Sequence, residues 1–372
     1  MAPRTTRLVI ADDSAVMRSL LRSVMRTAEG FEIVGIANNG EAALGLIEQL
    51  RPDLVLLDVE MPVMDGLTTL RTLRARGLKV PVIMCSSLTQ RGARVTLEAL
   101  ASGASDYVAK PRGEAGPAEA IQALARELVP KMVALTTAVP AAIKLPASRP
   151  PLPADAPLTR AQSNSSPPSV LLIGVSTGGP AALDVLLPAL PASFPLPVLI
   201  VQHMPELFTR LLAERLDTRC ALRVSEAAEG DEIGSGRIAI ARGNWHLEVV
   251  ASPRAGQRAT LHLSQAPPEN HCRPAVDVLF RTAAAHYGSG TVGVVLTGMG
   301  SDGLAGSRII RARGGLVLAQ DQPTSAIWGM PGAVVNAGLA HRVLPIQEIA
   351  PELIRQASAA VRGRAEVHEV VA

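Results

Sequence analysis

Short apolar runs that end in a polar residue or a glycine alternate with stretches of helical spacing along most of this chain, and one proline-rich interruption breaks the alternation. Before the break, strand character falls at 8–11, 32–37, 53–58, 80–85 and 105–108, with helical spacing at 15–25, 40–49, 65–76 and 91–102. Repeats of this kind close into a parallel sheet with helices on both faces. After the break, strands are expected at 170–175, 198–202, 237–241, 292–296 and 316–320, and helices at 181–190, 207–216, 276–286 and 303–313. The break, from about Ala134, holds Pro140, Pro146, Pro150, Pro151, Pro153, Pro157, Pro167 and Pro168 among Ala, Ser and Thr. It reads as a semi-extended linker. The expected organisation is an α/β domain over 1–125, a linker over 126–168, a second, mostly parallel doubly wound α/β domain over 169–350, and a short helix with a disordered tail over 351–372.

With 372 residues, 48% hydrophobic and 19% charged, the chain has ample material for two cores and is not disordered throughout. Aromatics are only 2%, so the cores are aliphatic. A net charge of +3 is too weak to argue for nucleic acid, and no basic recognition helix or helix-turn-helix follows the linker. No apolar stretch approaches the ~18 residues of a membrane helix, and the run 8–11 stops at Asp12 and Asp13, too short for a signal peptide. A cytoplasmic protein without membrane insertion is expected. Cys85, Cys220 and Cys272 are far apart and show no metal-ligand spacing, so neither a disulfide framework nor a zinc site is expected.

In the first half, Asp12 and Asp13 follow the first strand, Asp58 the third, Ser86 the fourth and Lys110 the fifth. The carboxyl ends of parallel strands line one crevice. Clustered carboxylates there suit a hard cation such as Mg²⁺, and a lysine opposite complements a phosphoryl group. Each aspartate alone reads equally as a helix cap; joint placement on four strand ends is what favours a site. The segments Ala11-Asp12-Asp13-Ser14, Leu57-Asp58-Val59-Glu60-Met61-Pro62-Val63-Met64-Asp65-Gly66, Ser86-Ser87 and Lys110-Pro111 resemble the receiver domain of bacterial two-component response regulators. The resemblance implies a flavodoxin-like (βα)5 fold in which Asp58 accepts a phosphoryl group from a chemotaxis-type histidine kinase. Asp12, Asp13 and Asp58 would hold Mg²⁺, Lys110 would contact the phosphate, and Ser86 would be the switch hydroxyl.

In the second half, Ser176 stands on a glycine-rich turn between a strand and a helix, in the pattern Gly174-x-Ser176-x-Gly178. No Lys-Ser or Lys-Thr follows, so a phosphate-binding P-loop is disfavoured. A serine nucleophile needs a base and an orienting acid. Of the seven histidines, His203 directly follows the apolar strand 198–202. His286 falls in a helix and His368 in the tail, while His246, His262, His271 and His341 fall in loops or edge strands. Asp302 sits in a glycine-rich loop after a third apolar strand and could orient His203, or merely cap the helix that follows. The order Ser, His, Asp differs from the Ser, Asp, His order of α/β-hydrolases.

The segments Gly174-Val-Ser176-Thr-Gly-Gly-Pro180, Gln202-His203-Met204-Pro205, Arg273-Pro-Ala-Val-Asp277-Val-Leu-Phe280, Leu296-Thr-Gly-Met299-Gly-Ser-Asp302-Gly303 and Gly329-Met-Pro331 resemble the catalytic domain of chemotaxis-type protein-glutamate methylesterases. Val175 and Ala275 stand where many members carry Ala and Ser. The resemblance implies a triad of Ser176, His203 and Asp302, with the Met299 amide in the oxyanion hole and no cofactor for the ester chemistry. It implies hydrolysis of glutamate methyl esters on the cytoplasmic helices of chemoreceptors, with deamidation of glutamines. A phosphorylation-controlled adaptor without turnover is the alternative from another class. Arg210, Arg215, Arg219 and Arg273 read as a solvated face rather than a steering patch for an acidic receptor surface.

Overall fold

The computed structural model describes residues 5–111, 116–136, 167–252 and 258–371, with side chains to residue 358. The linker prolines between 137 and 166, and the side chain of His368, lie outside the described residues.

The first unit runs β1 (Thr6–Ala11), α1 (Ala15–Thr27), β2 (Phe31–Ala37), α2 (Gly40–Leu50), β3 (Leu54–Asp58), α3 (Gly66–Ala75), β4 (Val82–Ser86), α4 (Gln90–Ala101), β5 (Asp106–Ala109) and α5 (Pro117–Thr136). Its five strands are all parallel in the order β2-β1-β3-β4-β5. The β1–β3 neighbours flank the point where the strand order reverses, the crevice at which such sheets bind ligands. Ser14, Asn39, Asp65 and Thr89 cap the four helices that leave the carboxyl-end loops, each side chain accepting a backbone N–H of the first turn.

The expected boundary at residue 125 is corrected by α5. Leu124, Leu128 and Met132 recur every four residues and are fully buried against the β1–β3 side of the sheet, so the packed unit extends to Thr136. Pro130 within this helix gives up one backbone bond, and burial of its neighbours, at about 1.5–3 kcal/mol for a large apolar side chain, offsets that loss.

The second unit runs β6 (Val170–Val175), α6 (Gly179–Leu186), β7 (Val198–Gln202), α7 (Glu206–Asp217), β8 (Arg223–Glu226), β9 (Arg237–Ile240), β10 (His246–Val250), β11 (Thr260–Ser264), α8 (Val276–Tyr287), β12 (Thr291–Val295), α9 (Leu304–Ala312), β13 (Leu316–Gln320), α10 (Met330–Asn336), β14 (Arg342–Leu344) and α11 (Ile346–Val371). Seven strands form one wholly parallel sheet, β14-β13-β12-β6-β7-β9-β8, and β10 with β11 makes a separate antiparallel hairpin. The central strands are buried throughout, as expected of a parallel sheet covered on both faces. α11 starts at Ile346, earlier than the expected 351, because Ile349, Ala350 and Leu353 pack into the core. Its backbone is helical through Val371, where a disordered end was expected.

The two units share one apolar cluster. Tyr107 stacks on Phe208 with ring centroids 4.5 Å apart, and Leu97 and Leu100 of α4 join Leu183 and Leu211 in the same cluster. Thr177 Oγ1 donates to Asp106 Oδ2 at 2.6 Å, and Arg94 pairs with Glu214 at 3.0 Å on the rim.

Candidate active site

The register of the central strands decides what meets. Val175 pairs with Gln202, so the next residues, Ser176 and His203, leave β6 and β7 side by side. On the other flank Gly174 pairs with Val295, and the Ser176 N–H donates to the Thr297 carbonyl at 3.0 Å. The loop carrying Met299 and Asp302 therefore rises beside Ser176. Gly298 is required there: a Cβ on it would stand 2.8 Å from the Ser176 Cβ and 2.4 Å from Met330 Sδ. No acceptor among the described residues takes the Met299 N–H. Gly178, at φ 78°, turns the chain from Ser176 into α6.

Asp302 is buried and its carboxylate is saturated. Oδ2 accepts from His203 Nε2 at 2.8 Å and from the Val276 N–H at 2.7 Å. Oδ1 accepts from the N–H groups of Asp277 and Gly303 and from Asn270 Nδ2, each at 3.0 Å. The helix it caps is α8 rather than the one that follows it in sequence. Burial pushes this carboxyl up, but His203 and the two N–H groups of α8 outweigh it and hold it below the usual range. Burial likewise pulls the His203 ring toward neutrality, and the bond to Asp302 and the neighbouring Cys272 overcome it, raising its pKa to about 9.

Asp302 takes Nε2, so Nδ1 is the ring nitrogen left for chemistry. Its neighbour here is Cys272 Sγ, 3.6 Å away. Ser176 and His203 line the same cavity of about 430 Å³, but among the described residues no hydrogen bond joins the Ser176 hydroxyl to the ring. The structure thus brings His203 onto Asp302 and leaves Ser176 facing the shared cavity. Cys272, Asn270 and Gln202 are the site residues that the sequence left unread. Gln202 Nε2 donates to the Ser176 carbonyl at 3.0 Å. Cys272 ends a tight turn in which Glu269 and Cys272 exchange backbone hydrogen bonds and Asn270 and His271 have φ of 53° and 62°. Asn at the first left-handed position is the single local hint of that turn.

Residues of the first unit roof this cavity. Asp106, Tyr107, Glu127 and Lys131 line it with Ser176, Thr177 and His203. Lys131 is held by Glu127 at 3.3 Å, Asp106 at 3.4 Å and the Tyr107 carbonyl at 2.6 Å. The arginines read as a solvated face are partly tied down. Arg215 pairs with Asp184 at 2.5 Å, and Arg273 donates to the carbonyls of Gln265 and Ala266 and to Asn244 Oδ1.

At the second crevice, oxygens of Asp12, Asp13 and Asp58 lie within 4.8 Å of one another. Lys110 Nζ is 2.7 Å from Asp58 and 3.0 Å from Asp12. Burial raises the Asp58 pKa to about 6 despite the pull of Lys110. Three hard oxygen donors, one exposed on Asp13, fit a divalent cation that keeps some of its waters. Ser86 Oγ accepts from Thr96 Oγ1 at 2.6 Å and donates to the Ser87 carbonyl at 3.2 Å.

Two family descriptions match the chain: the response regulator receiver domain over residues 8–124 and the CheB methylesterase over residues 171–353. A protein-glutamate methylesterase/protein-glutamine glutaminase of Nocardioides sp. is 49% identical, covering 94% of this chain and 95% of that one. Its namesake in Trichodesmium erythraeum is 46% identical, covering 94% and 98%. The crystal structure of the Thermotoga maritima CheB methylesterase catalytic domain is 42% identical, covering 50% of this chain and 98% of that one, with a TM-score of 0.49. Among the described residues no helix is long and apolar enough to cross a membrane. With both domains matched in order and near-half identity over almost its whole length, the chain belongs to the family of receiver-linked CheB protein-glutamate methylesterases/protein-glutamine glutaminases.

Proposed function

We propose that the chain is a phosphorylation-gated serine hydrolase that removes methyl groups from glutamate methyl esters of chemoreceptors, and deamidates receptor glutamines, in sensory adaptation. The observation that carries this reading is His203, clamped by Asp302 through Nε2 and lining the same cavity as Ser176. Ser176 Oγ attacks the ester carbonyl and passes its proton to His203 Nδ1. The Met299 N–H stabilises the oxyanion. His203 returns the proton to the departing methoxide, and water then cleaves the acyl-enzyme by the same route. Asp302 fixes the Nε2–H tautomer and stabilises the imidazolium.

Gating follows from the roof. Asp58 receives the phosphoryl group from a histidine kinase, Asp12, Asp13 and Asp58 would hold Mg²⁺, and Lys110 steadies the phosphate. When bound, the ion neutralises charge on the transferring phosphoryl group. Ser86, released from Thr96, turns toward the phosphate and shifts α4, which packs on α6 and α7. The roof over Ser176 then loosens. Methanol release from methylated receptor tests both halves. Ser176→Ala is expected to lose at least a thousandfold in turnover with or without phosphodonor. Asp58→Asn is expected to keep basal turnover and lose its stimulation by a small-molecule phosphodonor. Normal turnover by Ser176→Ala would remove the nucleophile from the reading.

The base must be neutral to accept a proton, and the ring loses its proton as pH rises through about 9. Turnover at low substrate is therefore expected to climb about tenfold per pH unit below that value and level off above it. A flat profile between pH 6 and 8 would contradict His203 as the base in this state.

A further inference from the structure

Cys272 has no part in the ester chemistry, yet its sulfur stands within hydrogen-bond reach of the working nitrogen of the base, 3.6 Å away. We propose that Cys272 and His203 form an inhibitory site for a thiophilic divalent cation, zinc by its chemistry, which binds between Sγ and Nδ1 and removes the base from the reaction. Inhibition by the ion rests on the esterase function proposed above; the metal site does not.

Three observations support the site. The first is spacing. Zinc bonds of about 2.3 Å to sulfur and about 2.05 Å to nitrogen at a tetrahedral angle set the two ligand atoms about 3.6 Å apart, and Sγ and Nδ1 stand 3.6 Å apart. The second is orientation. A metal-bound histidine commonly donates its other ring N–H to a carboxylate, which aims the lone pair at the ion. Asp302 does this at Nε2, and is itself locked by four further N–H donors. The third is access. Cys272 and His203 line the roughly 430 Å³ cavity, which leaves room for water at the remaining coordination positions. The turn 269–272 is pinned through Asn270 to Asp302 and Asp277, so sulfur and ring are positioned by one network and no rearrangement is needed to bring them together.

Binding forms a Zn–S and a Zn–N bond, and the thiol proton, together with the Nδ1 proton where the ring is an imidazolium, leaves to solvent. While the ion is bound, the Nδ1 lone pair is occupied and cannot accept the Ser176 proton. No local pattern marks such a site, because its ligands lie 69 residues apart and meet only through the fold.

The test uses the full chain, freed of metal. Cobalt(II), which takes the same tetrahedral sites, is expected to give a thiolate-to-metal charge-transfer band. Cobalt held by Asp12, Asp13 and Asp58 gives none, since its ligands there are oxygens. The band should survive Cys220→Ser and vanish in Cys272→Ser. In the unaltered chain, zinc should slow iodoacetamide alkylation of Cys272 at least tenfold, read by peptide mass, and leave Cys220 unaffected. Zinc inhibition of methanol release should need at least tenfold more metal in Cys272→Ser than in Cys220→Ser. An absent band, a band that Cys272→Ser retains, or unprotected Cys272 overturns the site. The band and the alkylation are read without turnover, so a failure of the esterase reading would appear in methanol release alone.

Discussion

Asp302→Asn is expected to lower turnover of methylated receptor by about 10³–10⁴-fold while leaving the site nearly the same shape. The carboxylate now accepts five hydrogen bonds, from His203, Asn270 and the backbone of Val276, Asp277 and Gly303. An amide has one acceptor oxygen, so its NH₂ group must face donors. Either it opposes the α8 amides or it turns to His203 and forces the ring into the wrong tautomer. Buried donors left without acceptors cost about 1–3 kcal/mol each, so the melting temperature is expected to fall as well. Loss of activity with an unchanged midpoint of thermal unfolding would separate the two effects. Turnover within tenfold of the unaltered chain would remove Asp302 from the catalytic assignment.

A fragment beginning at Pro168 is expected to turn over methylated receptor at least tenfold faster than the unphosphorylated full chain. The reason is the roof: Asp106, Tyr107, Glu127 and Lys131 of the first unit line the cavity that Ser176 and His203 share. Within the full chain, Tyr107→Ala should move basal activity the same way. It removes the stack on Phe208, worth about 0.5–1.5 kcal/mol beyond the area it buries, and a tenfold shift in a closed–open equilibrium needs about 1.4 kcal/mol. A fragment as slow as the intact, unphosphorylated chain would show that the first unit does not block the second.

What was legible in the sequence was whatever a short stretch of chain decides by itself. Apolar runs such as 54–57 and 198–201 can satisfy their pattern only as buried parallel strands, and the polar residue that ends each run falls at the carboxyl rim. Asp58, Ser86, Ser176 and His203 were placed in this way. Short edge strands such as β8 and β14 left no such mark, because few residues of either are buried. The sequence reading assigns α5 no range and ends the domain at 125; Pro130 argues locally against a helix there, while Leu128 and Met132 carry it on through packing that only the sheet supplies. Cys272 was unreadable for the same reason in stronger form. Its place beside His203 depends on a turn, on Asn270 reaching Asp302, and on the sheet that brings 203 and 302 together.

The carboxylate at 302 also closes the amino end of α8, a task that does not depend on turnover. A descendant that had stopped demethylating anything would still unravel that helix end if it discarded the acid, whereas the hydroxyl at 176 could drift freely. Loss of function in this lineage should therefore be read first at the serine, and an intact aspartate on its own says little about whether a relative still works.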